Sequence, residues 1–142
     1  MEGKTCLITG GSDGIGYAAA REFARMGATV AVVGRNPAKT AAAAARIVEE
    51  TGNPSVRHLL ADLSSQGDVR RLAAQVKEDT PRLDVLVNTA GAVFLSNQHS
   101  VDGIGMPFAL NHLGSYQLTT LLLALLQDSA PARIVNVTAK SH

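Results

Sequence analysis

The sequence predicts an α/β fold: a doubly wound parallel sheet of about five strands with helices on both faces. Three observations predict it. Short apolar, β-branched runs alternate with longer segments of helical period along the 142 residues. The runs are apolar throughout rather than alternating, as expected of strands buried on both faces. A glycine turn, Thr9-Gly10-Gly11-Ser12-Asp13-Gly14-Ile15-Gly16, joins the first such run to the first helical segment. The length suits one domain with a real core, and no linker or internal repeat divides residues 1–142.

Each element has a local reason. Thr5 to Thr9 reads as the first strand. Ile15, Ala19, Phe23 and Met26 then recur at helical spacing, and Gly27 is a natural C-terminal cap. Thr29 to Val33 is β-branched and apolar, a second buried strand. Asn36-Pro37 supplies an N-cap and a proline at the first helical position. That helix runs through the alanines 41–45, explained by helix propensity, and ends near Gly52. Val56 to Leu60 is the third strand. Ser64-Ser65 caps a helix whose apolar positions are Val69, Leu72, Ala73 and Val76, and Pro81 follows it. Val85-Leu86-Val87 is the fourth strand, and a loop with Ser96, Asn97, Ser100 and Gly103 comes next. A long helix starts near Met106 or Pro107 and ends near Gln127. Pro131 precedes a last strand, Arg133 to Val137.

Composition narrows the function classes. The chain is 46% hydrophobic and 18% charged, a globular balance. Net charge is +1 with no basic block, so neither nucleic acid nor an anionic membrane is an implied partner. The single cysteine, Cys6, lies in an apolar run and reads as a small buried residue. No secretory signal fits before the first strand, and the apolar run Leu121 to Leu126 is too short to span a bilayer. A reducing, cytoplasmic compartment is the expectation.

The glycine turn carries the chemistry. Strand, glycine turn and helix together let a backbone approach a pyrophosphate and offer it the N–H groups of a helix start. The spacing G-x-x-x-G-x-G, from Gly10, Gly14 and Gly16, differs from the commoner G-x-G-x-x-G. About twenty positions on, a carboxylate would hold the ribose hydroxyls of NAD. Gly34-Arg35-Asn36 stands there instead. A forked guanidinium suits a 2′-phosphate, which favours NADP(H) and leaves NAD(H) as the alternative. Asp13, inside the turn, opposes that preference if it lies near the phosphate.

At this point the chain resembles the short-chain dehydrogenase/reductase family, and its retinol-dehydrogenase-like branch in particular. Thr9 to Gly16 is similar to the family's T-G-x-x-x-G-I-G, and Asp62-Leu63 to its acidic–apolar pair. Asn88-Thr89-Ala90-Gly91 resembles N-N-A-G, with Thr89 in place of the second asparagine. Asn111-His112-Leu113-Gly114 and Arg133-Ile134-Val135-Asn136-Val137 resemble the branch. The resemblance implies a Rossmann-type fold and a set of cofactor-binding residues in the turn: Gly10, Ser12, Asp13, Gly14, Ile15 and Gly16. Of these, Gly10, Ser12 and Ile15 would meet the pyrophosphate and its ribose. It further implies Arg35 and Asn36 on the adenosine side and Asp62 with Leu63 at the adenine. Asn88, Ala90 and Gly91 would border the ribose, with Asn88 also bracing neighbouring strands. From the residues alone, Asp62 reads equally as a charge at a helix start, and Asn88 as a strand-end residue.

The family's reaction is hydride transfer between nicotinamide and a carbonyl or alcohol, with a small molecule of that class as substrate. Asn111 falls on its helix asparagine, the one catalytic position matched. The serine position holds Ala139, with Thr138 and Ser141 as the nearby hydroxyls. No Tyr-x-x-x-Lys occurs: Tyr17 is followed four residues on by Arg21, and Tyr116 by Thr120. By comparison with the family, 1–142 is a single but incomplete dinucleotide-binding domain, lacking turnover alone, with an open sheet edge that invites self-association. No metal site is expected. A non-catalytic dinucleotide-binding or interaction module is the competing reading, and a methyltransferase of similar fold is a third, disfavoured because Gly34-Arg35 stands where its acid belongs.

Overall fold

The computed structural model describes residues 1–140. Five strands form one sheet in the order β3-β2-β1-β4-β5, every neighbouring pair parallel. The strands are β1 (Thr5–Thr9), β2 (Thr29–Gly34), β3 (Val56–Leu60), β4 (Val85–Asn88) and β5 (Arg133–Asn136). The helices are α1 (Gly14–Arg25), α2 (Pro37–Thr51), α3 (Gln66–Asp79), the single turn α4 (Met106–Phe108) and α5 (Gly114–Asp128). A π-helical stretch, Ala109–Leu113, joins α4 to α5. The expected long helix is therefore one helical run with a widened turn inside it.

Alternate side chains of each strand enter two cores, because a strand points successive residues to opposite faces. Cys6, Ile8, Val30, Val32 and Val87 pack against Ala20 and Ala24 of α1 and Ala44 and Ile47 of α2. Leu7, Ala31, Val33 and Leu86 pack against Val69, Leu72 and Val76 of α3 and Leu118, Leu122 and Leu126 of α5. The stripe predicted for α3 is buried, but in α1 the buried residues are Gly16, Ala20 and Ala24, while Ile15 and Met26 of the predicted stripe are exposed, so the apolar face lies one position further along the helix. The chain runs outward from β1 through β2 to β3, then returns to β4 on the other side. The two halves part at the carboxyl ends of β1 and β4, the place where such sheets bind ligands.

Caps follow the sequence signals. The Asn36 side chain accepts from Lys39 N at 2.9 Å and the Ser65 side chain from Asp68 N at 3.3 Å. After α1, Gly27 N donates to Ala24 O and Ala28 N to Phe23 O, the paired bonds that close a helix on a left-handed glycine. β5 lies at one edge, and Ile134 and Val135 on it are exposed.

Far from the ligand end, Asp84 is almost wholly buried. It accepts from Thr5 N at 2.8 Å and from Arg82 Nη2 at 2.5 Å, with Lys4 Nζ 3.7 Å away. The Arg82 hydrogen bond, above all, holds its carboxyl below the usual aspartate range. A depressed carboxylate stabilises the fold above its unfolded pKa, and that contribution is lost as pH falls through the folded one. Asp84→Asn should therefore cost about 1.5–3 kcal/mol at pH 7. The difference should begin to shrink only as pH falls below about 4 and vanish once pH has passed below the depressed folded value, measured by urea unfolding across pH. Burial, reinforced by the Asp84 charge, pushes the Cys6 thiol up to about 12. Cys6 is thus the inert core residue its apolar setting implied.

Candidate functional site: a cleft at the carboxyl ends of the strands

A cleft of about 470 Å³ opens where β1, β2 and β4 end. The glycine turn forms its floor: Gly10, Ser12, Asp13, Gly14, Ile15 and Gly16 all line it. Gly10 has φ +63, a conformation that side chains disfavour. At Gly16 a Cβ atom would lie 2.2 Å from Gly10 O and 2.6 Å from Thr89 Oγ1. The turn is thereby folded flat against the start of α1. The first intrahelical bond runs from Tyr17 N to Asp13 O at 3.1 Å. The N–H groups of Ile15 and Gly16 precede it and face the anion-favouring end of the helix. Gly14 N is taken by Asp13 Oδ1 at 2.8 Å, so Asp13 is the N-cap of α1.

The walls come from the other strand ends. Arg35 follows β2 and is exposed at the rim, making no ion pair among the described residues. Asn36 does not line the cleft: its side chain is engaged in capping α2. Asp62 and Leu63 line the opposite wall. Asp62 Oδ1 accepts from Ser64 N at 2.9 Å and Ser64 Oγ at 2.6 Å. The carboxylate is thus held by the turn before α3, the helix-start reading the sequence offered, and it lines the cleft as well. Leu63 is buried and offers an apolar surface.

Thr89, Ala90, Gly91 and Ala92 after β4 complete the lining. The threonine that replaces asparagine in this motif is used structurally. Thr89 Oγ1 donates to Thr9 O, and Thr89 N donates to Thr9 Oγ1 at 3.2 Å, locking the ends of β4 and β1 together. Asn88, expected at the ribose, does not line this cleft: it is buried, its side chain taken up in bracing neighbouring elements. Its Nδ2 donates to Thr119 Oγ1 at 3.0 Å and Asn136 Oδ1 at 2.8 Å, joining β4 to α5 and β5. Asn111 lies in the π-helical stretch. Its Oδ1 accepts from Ala92 N and its Nδ2 donates to Ala92 O, both at 2.8 Å. A π-bulge commonly marks a functional position, and here it aims a helix side chain at the strand-end loop.

A smaller cavity beside the cleft is lined by Asn88, Asn111, His112, Tyr116, Asn136 and Thr138, among others. Thr138 is thus near Asn111, while Ser141 lies outside the described residues. Tyr17 is remote from this region: its hydroxyl donates to Glu50 Oε2 at 3.2 Å, and Arg46 covers its ring at 5.0 Å. Desolvation, chiefly, pushes its phenol up, which suits a structural role. Among the described residues no cluster could hold a metal ion, and no helix is long and apolar enough to cross a membrane.

Sequence reasoning missed three features. Lys39 lines the cleft and donates to Asp13 Oδ2 at 2.9 Å. Its signal was its place in the first turn of α2, four residues after Arg35 and so close to the end of β2. Thr9 and Thr89 form the clamp between strands, visible in sequence only as strand-end hydroxyls. Leu110 and Val137 add apolar lining and gave no signal of their own.

The residues fit a dinucleotide. Backbone donors at a helix start suit the pyrophosphate, Leu63 and Ala61 give a flat base an apolar wall, and the cations stand at the β2 end.

The chain is similar to several known proteins. The chain is 42% identical to retinol dehydrogenase 13 of Homo sapiens, an alignment covering all of this chain and 43% of that protein. It is 37% identical to polyprenol dehydrogenase of Homo sapiens, over 98% of this chain and 43% of that one. The chain thus spans less than half the length of these relatives. Among solved structures, the Pseudomonas aeruginosa RhlG/NADP active-site complex superposes with a TM-score of 0.84 at 34% identity, covering 98% of this chain and 54% of that one. A short chain dehydrogenase from Escherichia coli CFT073 complexed with NADPH gives 0.85 at 32% identity, covering 98% and 60%. The family model for short chain dehydrogenase matches residues 4–141, and with the cleft and the doubly wound sheet this places the chain in the short-chain dehydrogenase family of oxidoreductases.

Proposed function

We propose that residues 1–142 form one dinucleotide-binding unit that holds NADP(H) for an oxidoreductase acting on a small carbonyl or alcohol. The observation that carries this reading is the cleft of about 470 Å³, which brings the glycine turn, Arg35, Asp62, Leu63 and the loop 89–92 together. The two relatives above whose structures hold NADP or NADPH support it. The bound cofactor would supply the hydride. The chain's own residues bind and orient it. Gly10, Ser12 and Ile15 receive the pyrophosphate side, Arg35 the adenosine side, and Asp62 and Leu63 the adenine. Ala90 and Gly91 border the ribose, positioned by Asn88 and Asn111 from behind.

The same reading makes 1–142 a binding half without turnover of its own. Tyr17 and Tyr116 each lack a lysine four residues on, and Ala139 cannot donate a hydrogen bond to a carbonyl oxygen. Carbonyl reduction by this stretch alone would overturn that part. Ala139 also favours a second reading, a dinucleotide-binding module without chemistry. The exposed edge of β5 is the surface through which copies would associate.

Titration of nicotinamide fluorescence tests the cofactor assignment. NADPH should bind at least about tenfold more tightly than NADH, and Arg35→Ala should remove most of that difference. Tighter NADH binding would overturn the assignment.

A further inference from the structure

Asp13 stands where a negative charge should repel a 2′-phosphate, yet Lys39 compensates it. Lys39 Nζ donates to Asp13 Oδ2 at 2.9 Å, bridging the start of α1 to the first turn of α2. Both residues line two spaces at once. One is the main cleft, with Arg35 on the same side. The other is a groove of about 230 Å³ between α1 and α2, lined by Ser12, Tyr17, Ala43 and Arg46. The ion pair is the sill between them.

The other cations near this sill are differently engaged. Arg46 Nε donates to Glu50 Oε1 at 2.8 Å and lies over the Tyr17 ring. Arg35 has no carboxylate partner among the described residues. Asp13 has a second role independent of Lys39, because its other oxygen caps Gly14 N. The lysine is the labile member: both side chains are more than half exposed, and such a pair is weakly held. A flexible four-carbon stem lets its ammonium turn to a neighbouring anion while Asp13 stays in place.

We propose that Lys39 is a specificity-determining residue that exchanges Asp13 for the 2′-phosphate of the cofactor. This rests on the NADP(H) reading above. Without the phosphate, Lys39 neutralises Asp13. With it, Lys39 and Arg35 hold the dianion together, and Asp13 keeps only its cap. The Asp13–Lys39 pair thereby sets the margin between phosphorylated and unphosphorylated cofactor.

The test is equilibrium titration of the full chain with NADPH and NADH, in wild type, Lys39→Gln, Asp13→Asn and the double variant. Both changes are at exposed positions, and asparagine also caps helices, so the fold should persist in circular dichroism. Lys39→Gln should weaken NADPH by about tenfold and leave NADH within about twofold. Adding Asp13→Asn to Lys39→Gln should recover part of the loss, because the uncompensated carboxylate is then gone while the direct lysine contact is still missing. A second readout uses the nucleotide fragments. Adenosine 2′,5′-bisphosphate should raise the titration midpoint of the Asp13 carboxyl seen by NMR, while 5′-AMP should not. A wild type that binds neither dinucleotide, or NADH more tightly, overturns the cofactor reading and this proposal with it. A wild-type preference for NADPH that Lys39→Gln does not reduce overturns the proposal alone. So does a double variant no better than Lys39→Gln.

Discussion

Gly16→Ala should abolish dinucleotide binding, weakening NADPH by more than about a hundredfold, and should lower the unfolding midpoint as well. The reason is local and steric. The added methyl would sit 2.2 Å from Gly10 O and 2.6 Å from Thr89 Oγ1, far inside contact distance. Neither neighbour can yield cheaply. Gly10 O belongs to a backbone already at φ +63, and Thr89 Oγ1 is bonded to Thr9 O. Relief requires the turn to lift from α1, which displaces the N–H groups that face the cleft. Isothermal titration with NADPH measures the first effect and thermal unfolding the second. Gly14→Ala is the control: nothing lies within 4 Å of a Cβ there, although φ is +53. Its loss should come from backbone strain alone and be smaller. Equal losses at both positions would show that crowding is not the cause.

Leu86→Ala should cost about 2–5 kcal/mol of stability, read from urea unfolding at constant slope. Leu86 is fully buried in β4, between β1 and β5, and faces α3 and α5. Its removal leaves a cavity that two helices and a sheet cannot easily collapse. The functional consequence lies two residues on. Asn88 and the loop 89–92 hang from the end of β4, so cofactor affinity should fall even though Leu86 does not line the cleft. Loss of stability with unchanged affinity would show that the loop is held by the Thr9–Thr89 clamp and Asn111 instead. Leu86→Met keeps most of the volume and should cost much less.

Much of this protein was legible before its structure. The alternation of apolar runs with helical stripes specified five strands and the helices between them, because period and burial are consequences of backbone geometry. Parallel order and two covered faces followed from strands without polar alternation. Most of the cleft residues were legible for the same reason: the glycine turn, Arg35, Asp62-Leu63 and Ala90-Gly91 follow strand ends, and a doubly wound sheet gathers those ends in one place.

What the sequence could not determine was pairing across elements. That Asp62 is held by Ser64 was suggested locally, since the two are neighbours. That Asn36 turns to its own helix rather than to the cleft was a choice between two sound readings. The π-helical turn that carries Asn111 to Ala92 has no sequence signature, because it depends on fitting a helix against a loop nineteen residues away. The Thr9–Thr89 clamp joins residues from different halves of the sheet.

By itself, then, the sequence determined the α/β fold, the family and the end of the sheet at which the cleft lies. These depend on periods and spacings within single elements. Only the tertiary structure decided what Asp13 does. In sequence it is an acid in a glycine turn that reads as phosphate-binding, and an expected obstacle to NADP(H). In the fold, α2 returns beside α1 and sets Lys39 against it. Whether that charge is compensated is decided by the packing of two helices, which no spacing in the chain records.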